Sequence, residues 1–236
     1  MPSGQRCSIE PALSFQTNGI EVVATRLTAD TEDLCELATR LSGAERERAS
    51  RFVFDRDRQR FIIARARLRQ LLARRLGVTP ESVELVYGAR GKPGIARCST
   101  NPDLRFNLSH CDDVAVYAFS YGRDVGIDVE RVRVLPDADQ IAARFFSRRE
   151  HETYRALAPH DKPLGFFNCW TRKEAFIKAL GEGLAHSLHD FDVSLTPGVP
   201  AEILRVGTTS GDRCGWRTES FSPAPGFIAA VVSAQE

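Results

Sequence analysis

The chain has 236 residues, 42% of them hydrophobic, and a formal net charge of +1; this is enough apolar material for one large domain or two modest ones and excludes a disordered chain. No apolar run reaches spanning length, and residues 1–13 mix Pro, Ser, Gly and charge without the apolar stretch of a signal peptide, so the expectation is a cytoplasmic protein that does not enter a membrane. Cysteines at 7, 35, 98, 111, 169 and 214 never form a C-x-x-C pair, which argues against a zinc site and for free thiols.

In chain order, Ile20, Val22, Val23, Thr25 and Leu27 predict a first strand over residues 20–27, and residues 31–41 a helix that Thr31 would cap. Over residues 57–76 the apolar positions Phe61, Ala64, Leu68, Leu72 and Leu76 fall three or four apart and Gly77 follows, the pattern of a long amphipathic helix with a glycine stop. Strands are predicted at 83–87, 104–108 and 114–120, with a turn at 88–94 that contains Lys92 and Pro93. After a turn at 122–124 comes Gly126-Ile127-Asp128-Val129-Glu130, a strand whose alternation puts Val125, Ile127 and Val129 on a core face and Asp128 and Glu130 on the other, about 7 Å apart. Ser147 with Glu150 gives a capping box, a helix runs over 166–180 before Gly181, and residues 191–195, 201–206, 213–220 and 227–233 read as strands.

Helices set between groups of strands make this an α+β chain. One internal echo stands out. Arg51-Phe52 precedes a helix that ends Leu76-Gly77, and Arg144-Phe145 precedes one that ends Leu180-Gly181, which hints at two related halves.

Charge is unevenly spread. Residues 45–77 hold eleven arginines against four acids, so this arm is basic and the remainder acidic. One reading is a solvated helix face laced with intrahelical pairs; the other is a phosphate site, for which Arg60 near the helix start, with Arg48 or Arg46, is the better placed.

Phe106-Asn107-Leu108-Ser109-His110 reads as a strand ending in polar residues, where backbone amides, the Ser109 hydroxyl and the His110 ring would meet an anion. A serine and histidine adjacent in sequence cannot serve as nucleophile and base of a triad, and no G-x-S-x-G surrounds Ser109, so a hydrolase is rejected. There is no Walker A or G-x-G-x-x-G loop, although Lys92 on a turn stiffened by Pro93 suits a phosphate.

In Trp170-Thr171-Arg172-Lys173-Glu174-Ala175-Phe176-Ile177-Lys178, Glu174 and Lys178 are neighbours on one helix face. Two acids on a strand and one on a helix can supply a hard divalent cation with oxygen ligands from separate elements. A metal-dependent nuclease fits less well, since its acid and lysine usually lie in an E-x-K strand pattern; a non-enzymatic nucleic-acid binder would use the arginine helix alone.

With these motifs in this order, the chain resembles the Sfp-type 4′-phosphopantetheinyl transferases over about residues 45–185. The resemblance implies a fold of two similar α/β subdomains related by a pseudo-two-fold axis, here 1–122 and 123–236, with coenzyme A between them. It implies transfer of phosphopantetheine from coenzyme A to a serine of an apo acyl or peptidyl carrier protein, with release of 3′,5′-ADP, by a monomer that binds neither nucleic acid nor membrane. Asp128, Glu130 and Glu174 would bind Mg²⁺ or, in its place, Mn²⁺, and Glu174 would also be the base. Lys178 would contact the pyrophosphate, while Arg60, Ser109, His110, Lys92, Pro93 and the basic run at Arg48 would hold the 3′-phosphoadenosine end. After His110 the chain departs from the hydroxyl residue common in the family and carries Cys111-Asp112-Asp113, a weaker donor and two acids that would repel a polyanion.

Overall fold

The computed structural model describes residues 13–88, 91–96, 103–181, 187–207 and 215–235. Cys7, Cys98 and Cys214 fall outside them; Cys35, Cys111 and Cys169 are free thiols, as expected.

The first half contains β1 (Leu13–Thr17), β2 (Ile20–Arg26), α1 (Thr31–Thr39), α2 (Gly43–Ser50), α3 (Asp55–Leu76), a 3-10 turn (Pro80–Ser82), β3 (Leu85–Tyr87), β4 (Pro93–Ile95), β5 (Leu104–Cys111) and β6 (Val114–Tyr121). The second contains β7 (Val125–Arg131), α4 (Ala138–Phe145), α5 (Arg148–Ala156), α6 (Lys162–Leu180), a 3-10 turn (Leu188–Asp190), β8 (Phe191–Val193), β9 (Ile203–Val206), β10 (Trp216–Phe221) and β11 (Phe227–Ala234).

These halves repeat one plan. In the first, β2 leads through three helices, a 3-10 turn and the β3-β4 ribbon to the β5-β6 hairpin, and β6 pairs back on β2; in the second, β7, β8-β9 and β10-β11 do the same, with β11 paired on β7. The strand orders β2-β6-β5 and β7-β11-β10 correspond, and β1 is an added edge strand. The halves are therefore a real topological repeat, in which Leu76-Gly77 and Leu180-Gly181 end corresponding helices; the two Arg-Phe pairs are not equivalent, since Arg51-Phe52 follows α2 whereas Arg144-Phe145 ends α4.

Alternation along β2, β6, β7 and β11 builds the packing. Ile20, Val22, Ala24, Val116 and Ala118 from the first sheet meet Ile127, Val129, Ala229 and Val231 from the second in a shared core. Opposite faces carry the helices: Val23, Tyr117 and Phe119 pack under α3 residues such as Leu68 and Leu72, and Ala230 and Val232 pack with Phe176 and Ile177 of α6. No helix among the described residues is long and apolar enough to cross a membrane.

Several expectations need correction. Asp30 caps α1, since its side chain accepts from Asp33 N at 2.8 Å, and Thr31 is the first helical residue. α2 and α4 were not expected; both are eight residues long, too short for a clear apolar period. Pro93 begins a strand and does not sit within the turn. The strand predicted over 104–108 runs on to Cys111, so Ser109 and His110 lie within it, pointing to opposite faces.

The arginine helix departs most. Arg65, Arg67 and Arg69 are buried, so the solvated-face reading fails for them. Arg69 Nε donates to Glu45 Oε2 at 2.6 Å and its NH1 to the Pro80 and Val83 carbonyls at 2.9 and 3.0 Å, while Arg65 stands 3.5 Å from Glu45 and over the Phe61 ring. The long aliphatic stems fill core space, and Glu45 supplies a buried counter-charge to Arg65 and Arg69, which the hydropathy of arginine hides from a sequence reading.

Candidate active site at the seam of the two halves

The edge strand of the first sheet, β5, lies beside the edge strand of the second, β7. Their union is made by side chains that alternate along β5. Asn107 Oδ1 accepts from Ile127 N at 3.0 Å, Ser109 Oγ donates to Asp128 Oδ1 at 2.8 Å, and Cys111 Sγ stands 3.4 Å from Glu130 Oε2. Positions 107, 109 and 111 face the row 128 and 130, so two period-two patterns meet in register.

Helix α6 closes the site from one side. Gly126 makes this possible, because a Cβ there would overlap the Ala175 carbonyl oxygen and the Ala179 amide nitrogen. With α6 that close, Lys178 Nζ reaches Asp128 Oδ1 at 2.6 Å, Ser109 Oγ at 3.1 Å and the Ile127 carbonyl at 3.4 Å. Lys92 in turn donates to the Lys178 carbonyl. A cavity of ≈ 240 Å³ lined by Lys92, Pro93, Asn107, Leu108, Lys178 and Gly181 adjoins this point.

Burial and neighbouring charges shift the protonation equilibria of the groups here. Burial raises the pKa of Glu174 above the usual carboxylate value, repulsion from Asp128 and Glu130 adds to it, and Lys178 opposes it. Glu130 is raised for the same first reason, with Asp128 adding and Cys111, Arg133 and Lys178 opposing. Cys111 is pushed up to about 11, mainly by burial, so it is a neutral thiol. His110 keeps solvent access, yet the protein packed around it and the nearby Lys178, Arg65 and Arg60 hold its pKa below the ordinary value, which leaves a neutral ring at neutral pH.

Asp128 is 5% exposed, and its Oδ2 is buried with no hydrogen-bond partner among the described residues. Among the described residues no group of three or more His, Cys, Asp and Glu side chains is gathered tightly enough to hold a metal ion by itself. The reason is visible: Lys178 occupies Asp128 Oδ1, and Glu130 Oε2 turns toward Cys111 and, at 3.9 Å, Arg133.

Of the residues singled out from sequence, Ser109, Asp128 and Lys178 are in direct contact, Glu130 and Glu174 share their electrostatic environment, His110 senses Arg60, and Lys92 and Pro93 line the adjoining cavity. Arg48 lies apart. It is exposed, sits over the Phe61 ring at 5.4 Å, and lines a larger cavity of ≈ 960 Å³ with Arg51, Phe52 and Tyr87. That larger cavity is lined by none of Asp128, Glu130 and Glu174.

Asp112 and Asp113, the acids expected to oppose an anion, are both ion-paired. Arg131 of β7 pairs with both, and Arg26 of β2 with Asp113 at 2.6 Å, so cations from neighbouring strands offset the acids of the hairpin turn. Sequence reasoning missed the roles of Asn107, Cys111 and Arg65. Asn107 and Cys111 were detectable as the period-two partners of Ser109; nothing marked Arg65 among eleven arginines.

Comparison with known proteins gives one family for both halves. The family described as the 4′-phosphopantetheinyl transferase superfamily matches residues 124–232, and the 4′-phosphopantetheinyl transferase N-terminal family matches residues 28–121. The chain is 39% identical over 224 residues to 4′-phosphopantetheinyl transferase HetI of Nostoc sp., covering 95% of this chain and 91% of that one. It is 31% identical to 4′-phosphopantetheinyl transferase Sfp of Bacillus subtilis over 66% of each chain. It is also 35% identical to the human L-aminoadipate-semialdehyde dehydrogenase-phosphopantetheinyl transferase, over 65% of this chain and 52% of that one.

Proposed function

The chain belongs to the 4′-phosphopantetheinyl transferase superfamily, and on that premise we propose how its residues carry out the transfer. The protein moves the 4′-phosphopantetheine group of coenzyme A onto a serine of an apo acyl or peptidyl carrier protein and releases 3′,5′-ADP. Residues 1–122 and 123–236 act as two subdomains, coenzyme A lies across their seam, and both sides of that seam come from one chain, so a monomer suffices.

Phosphoryl transfer asks for positioning and charge neutralisation more than for covalent chemistry. The carrier serine hydroxyl attacks the β-phosphorus of coenzyme A in line; Glu174, whose raised pKa suits it to take a proton, accepts the hydroxyl proton. Lys178, released from Asp128 as substrate enters, meets the pyrophosphate, and the bond to 3′,5′-ADP breaks. Arg60 and the neutral His110 take the 3′-phosphate end with Ser109, Lys92 and Pro93, and Arg48 completes the charge on the outer side. Basic surface beside the cleft steers an acidic carrier.

Asp128, Glu130 and Glu174 would hold Mg²⁺, with Mn²⁺ as a substitute. What supports this is the buried Asp128 Oδ2, a hard oxygen that no described residue satisfies, together with two desolvated carboxylates that repel it. Such an ion supplies positive charge to the pyrophosphate oxygens. The same orphaned oxygen is the observation that best favours this reading over a nucleic-acid binder, which needs no carboxylate cluster.

The experiment that tests it is release of 3′,5′-ADP from coenzyme A. Release should require an apo carrier, stop with a carrier Ser→Ala variant, and stop on removal of divalent metal; release without a carrier would contradict the reading.

A further inference from the structure

Each half of the molecule contains the same buried clamp. In the first, Ser42 and Glu45 form the capping box of α2, with Ser42 N donating to Glu45 Oε2 at 2.9 Å. Glu45 then pairs with Arg69 of α3, and Arg69 binds the Pro80 and Val83 carbonyls around the 3-10 turn. In the second, Ser147 and Glu150 cap α5, with Ser147 N donating to Glu150 Oε2 at 2.7 Å. Glu150 pairs with Lys173 of α6 at 2.8 Å, and Lys173 binds the Leu188 and Phe191 carbonyls at 2.7 Å each, again around the 3-10 turn.

The match is detailed. Arg69 lies eight residues before Gly77 and Lys173 eight before Gly181, both glycines ending their helix in the left-handed conformation. Lys173 is fully buried, and its three protons are all used. A buried ion pair adds little net stability compared with a well-packed apolar pair, so a motif kept in both halves invites a role in fixing geometry.

The two clamps serve different ends of the site. α2, which Glu45 ties to α3, carries Arg48; α6, which Lys173 ties to the second half, carries Glu174 as the next residue and Lys178 one turn on. Glu150 also accepts from Val193 N at 2.7 Å, and Arg172 binds the Ser194 carbonyl at 2.6 Å, so the back of α6 is fastened to β8 and the chain just beyond it while its front meets β7 across Gly126.

We propose that Glu150 and Lys173 are positioning residues for the Glu174–Lys178 face, and that Glu45 and Arg69 are positioning residues for the Arg48 arm. The inference rests on the transferase reading and adds a division of labour to it: one clamp sets the chemical step, the other sets coenzyme A affinity.

The test compares Lys173→Met with Arg69→Met, which remove the same kind of group from the same kind of clamp. In transfer assays on apo carrier, Lys173→Met lowers kcat at least 30-fold with KM for coenzyme A within threefold, and Arg69→Met raises that KM at least tenfold with kcat within threefold. Calorimetric titration with coenzyme A and Mn²⁺ affinity by electron paramagnetic resonance give the same split without turnover: Arg69→Met weakens coenzyme A, Lys173→Met weakens Mn²⁺. If wild type binds both ligands but transfers nothing, the transferase reading fails and the binding split still decides the clamps. Lys173→Arg and Arg69→Lys, each borrowing the other half's cation, retain at least a third of wild-type values; should a methionine variant fail to fold, these exchanges read the split at smaller amplitude. Loss of the same parameter in both clamps, or no change in either, overturns the proposal.

Discussion

Ser109 of β5 donates its hydroxyl to the Asp128 carboxylate of β7 at 2.8 Å, and Lys178 of α6 binds both groups, at 3.1 and 2.6 Å. Three elements from two halves thus share one hydrogen-bonded point. The orphaned Asp128 Oδ2 marks the side from which this point is incomplete.

Glu174→Gln should lose transfer by about 1,000-fold or more, as expected when a general base in a positioned site is removed together with a ligand charge. It should also stabilise the metal-free protein. The pKa of Glu174 is raised in the folded state, so folding favours its protonated form; stability falls as pH rises from the ordinary value of 4.5 through the raised one, and the deficit persists above it. The melting temperature of Glu174→Gln should therefore exceed wild type by a few degrees at pH 7.5 in EDTA and match it near pH 4.

Gly126→Ala tests the approach of α6 to β7. A Cβ would strike helix backbone, which cannot swing aside as a side chain can. The expected cost is about 3 kcal/mol, at the upper end for overpacking, read by urea denaturation, and any folded fraction should transfer poorly because α6, with Glu174 and Lys178, is pushed away from β7.

Asn107→Ala removes the acceptor for Ile127 N and leaves a buried donor unpaired. The expected loss is about 2 kcal/mol. An unchanged denaturation midpoint would show that the seam does not depend on this bond.

Arg60→Ala should weaken coenzyme A by about tenfold or more, the usual range for a charge-assisted hydrogen bond. Dephospho-coenzyme A, which lacks the 3′-phosphate, should bind wild type and variant alike. Equal losses for both ligands would move Arg60 away from the 3′-phosphate.

Much of this site was legible because the spacing carries it. Alternation placed Asp128 and Glu130 on one strand face, and four-residue spacing placed Glu174 with Lys178. Two kinds of information were not. Whether an arginine on α3 faces solvent or core depends on a partner twenty-four residues away, as with Arg69 and Glu45, and local pattern is blind to that. The second kind is strand length. Ending the strand at Leu108 hid the row Asn107, Ser109, Cys111, and with it the union of β5 and β7. By contrast, both capping boxes are four-residue signatures, but only the one at Ser147 was read; the box at Ser42 lies ahead of a helix with almost no apolar residues to announce it.

The central claim is group transfer to a carrier serine, and intact mass of the carrier tests it most directly. Incubated with coenzyme A, Mg²⁺ and the protein, an apo carrier should gain the mass of a single phosphopantetheine, with no gain from Glu174→Gln under the same conditions. No gain with wild type on any of a panel of apo carriers from fatty acid, polyketide and nonribosomal peptide synthesis would contradict the account.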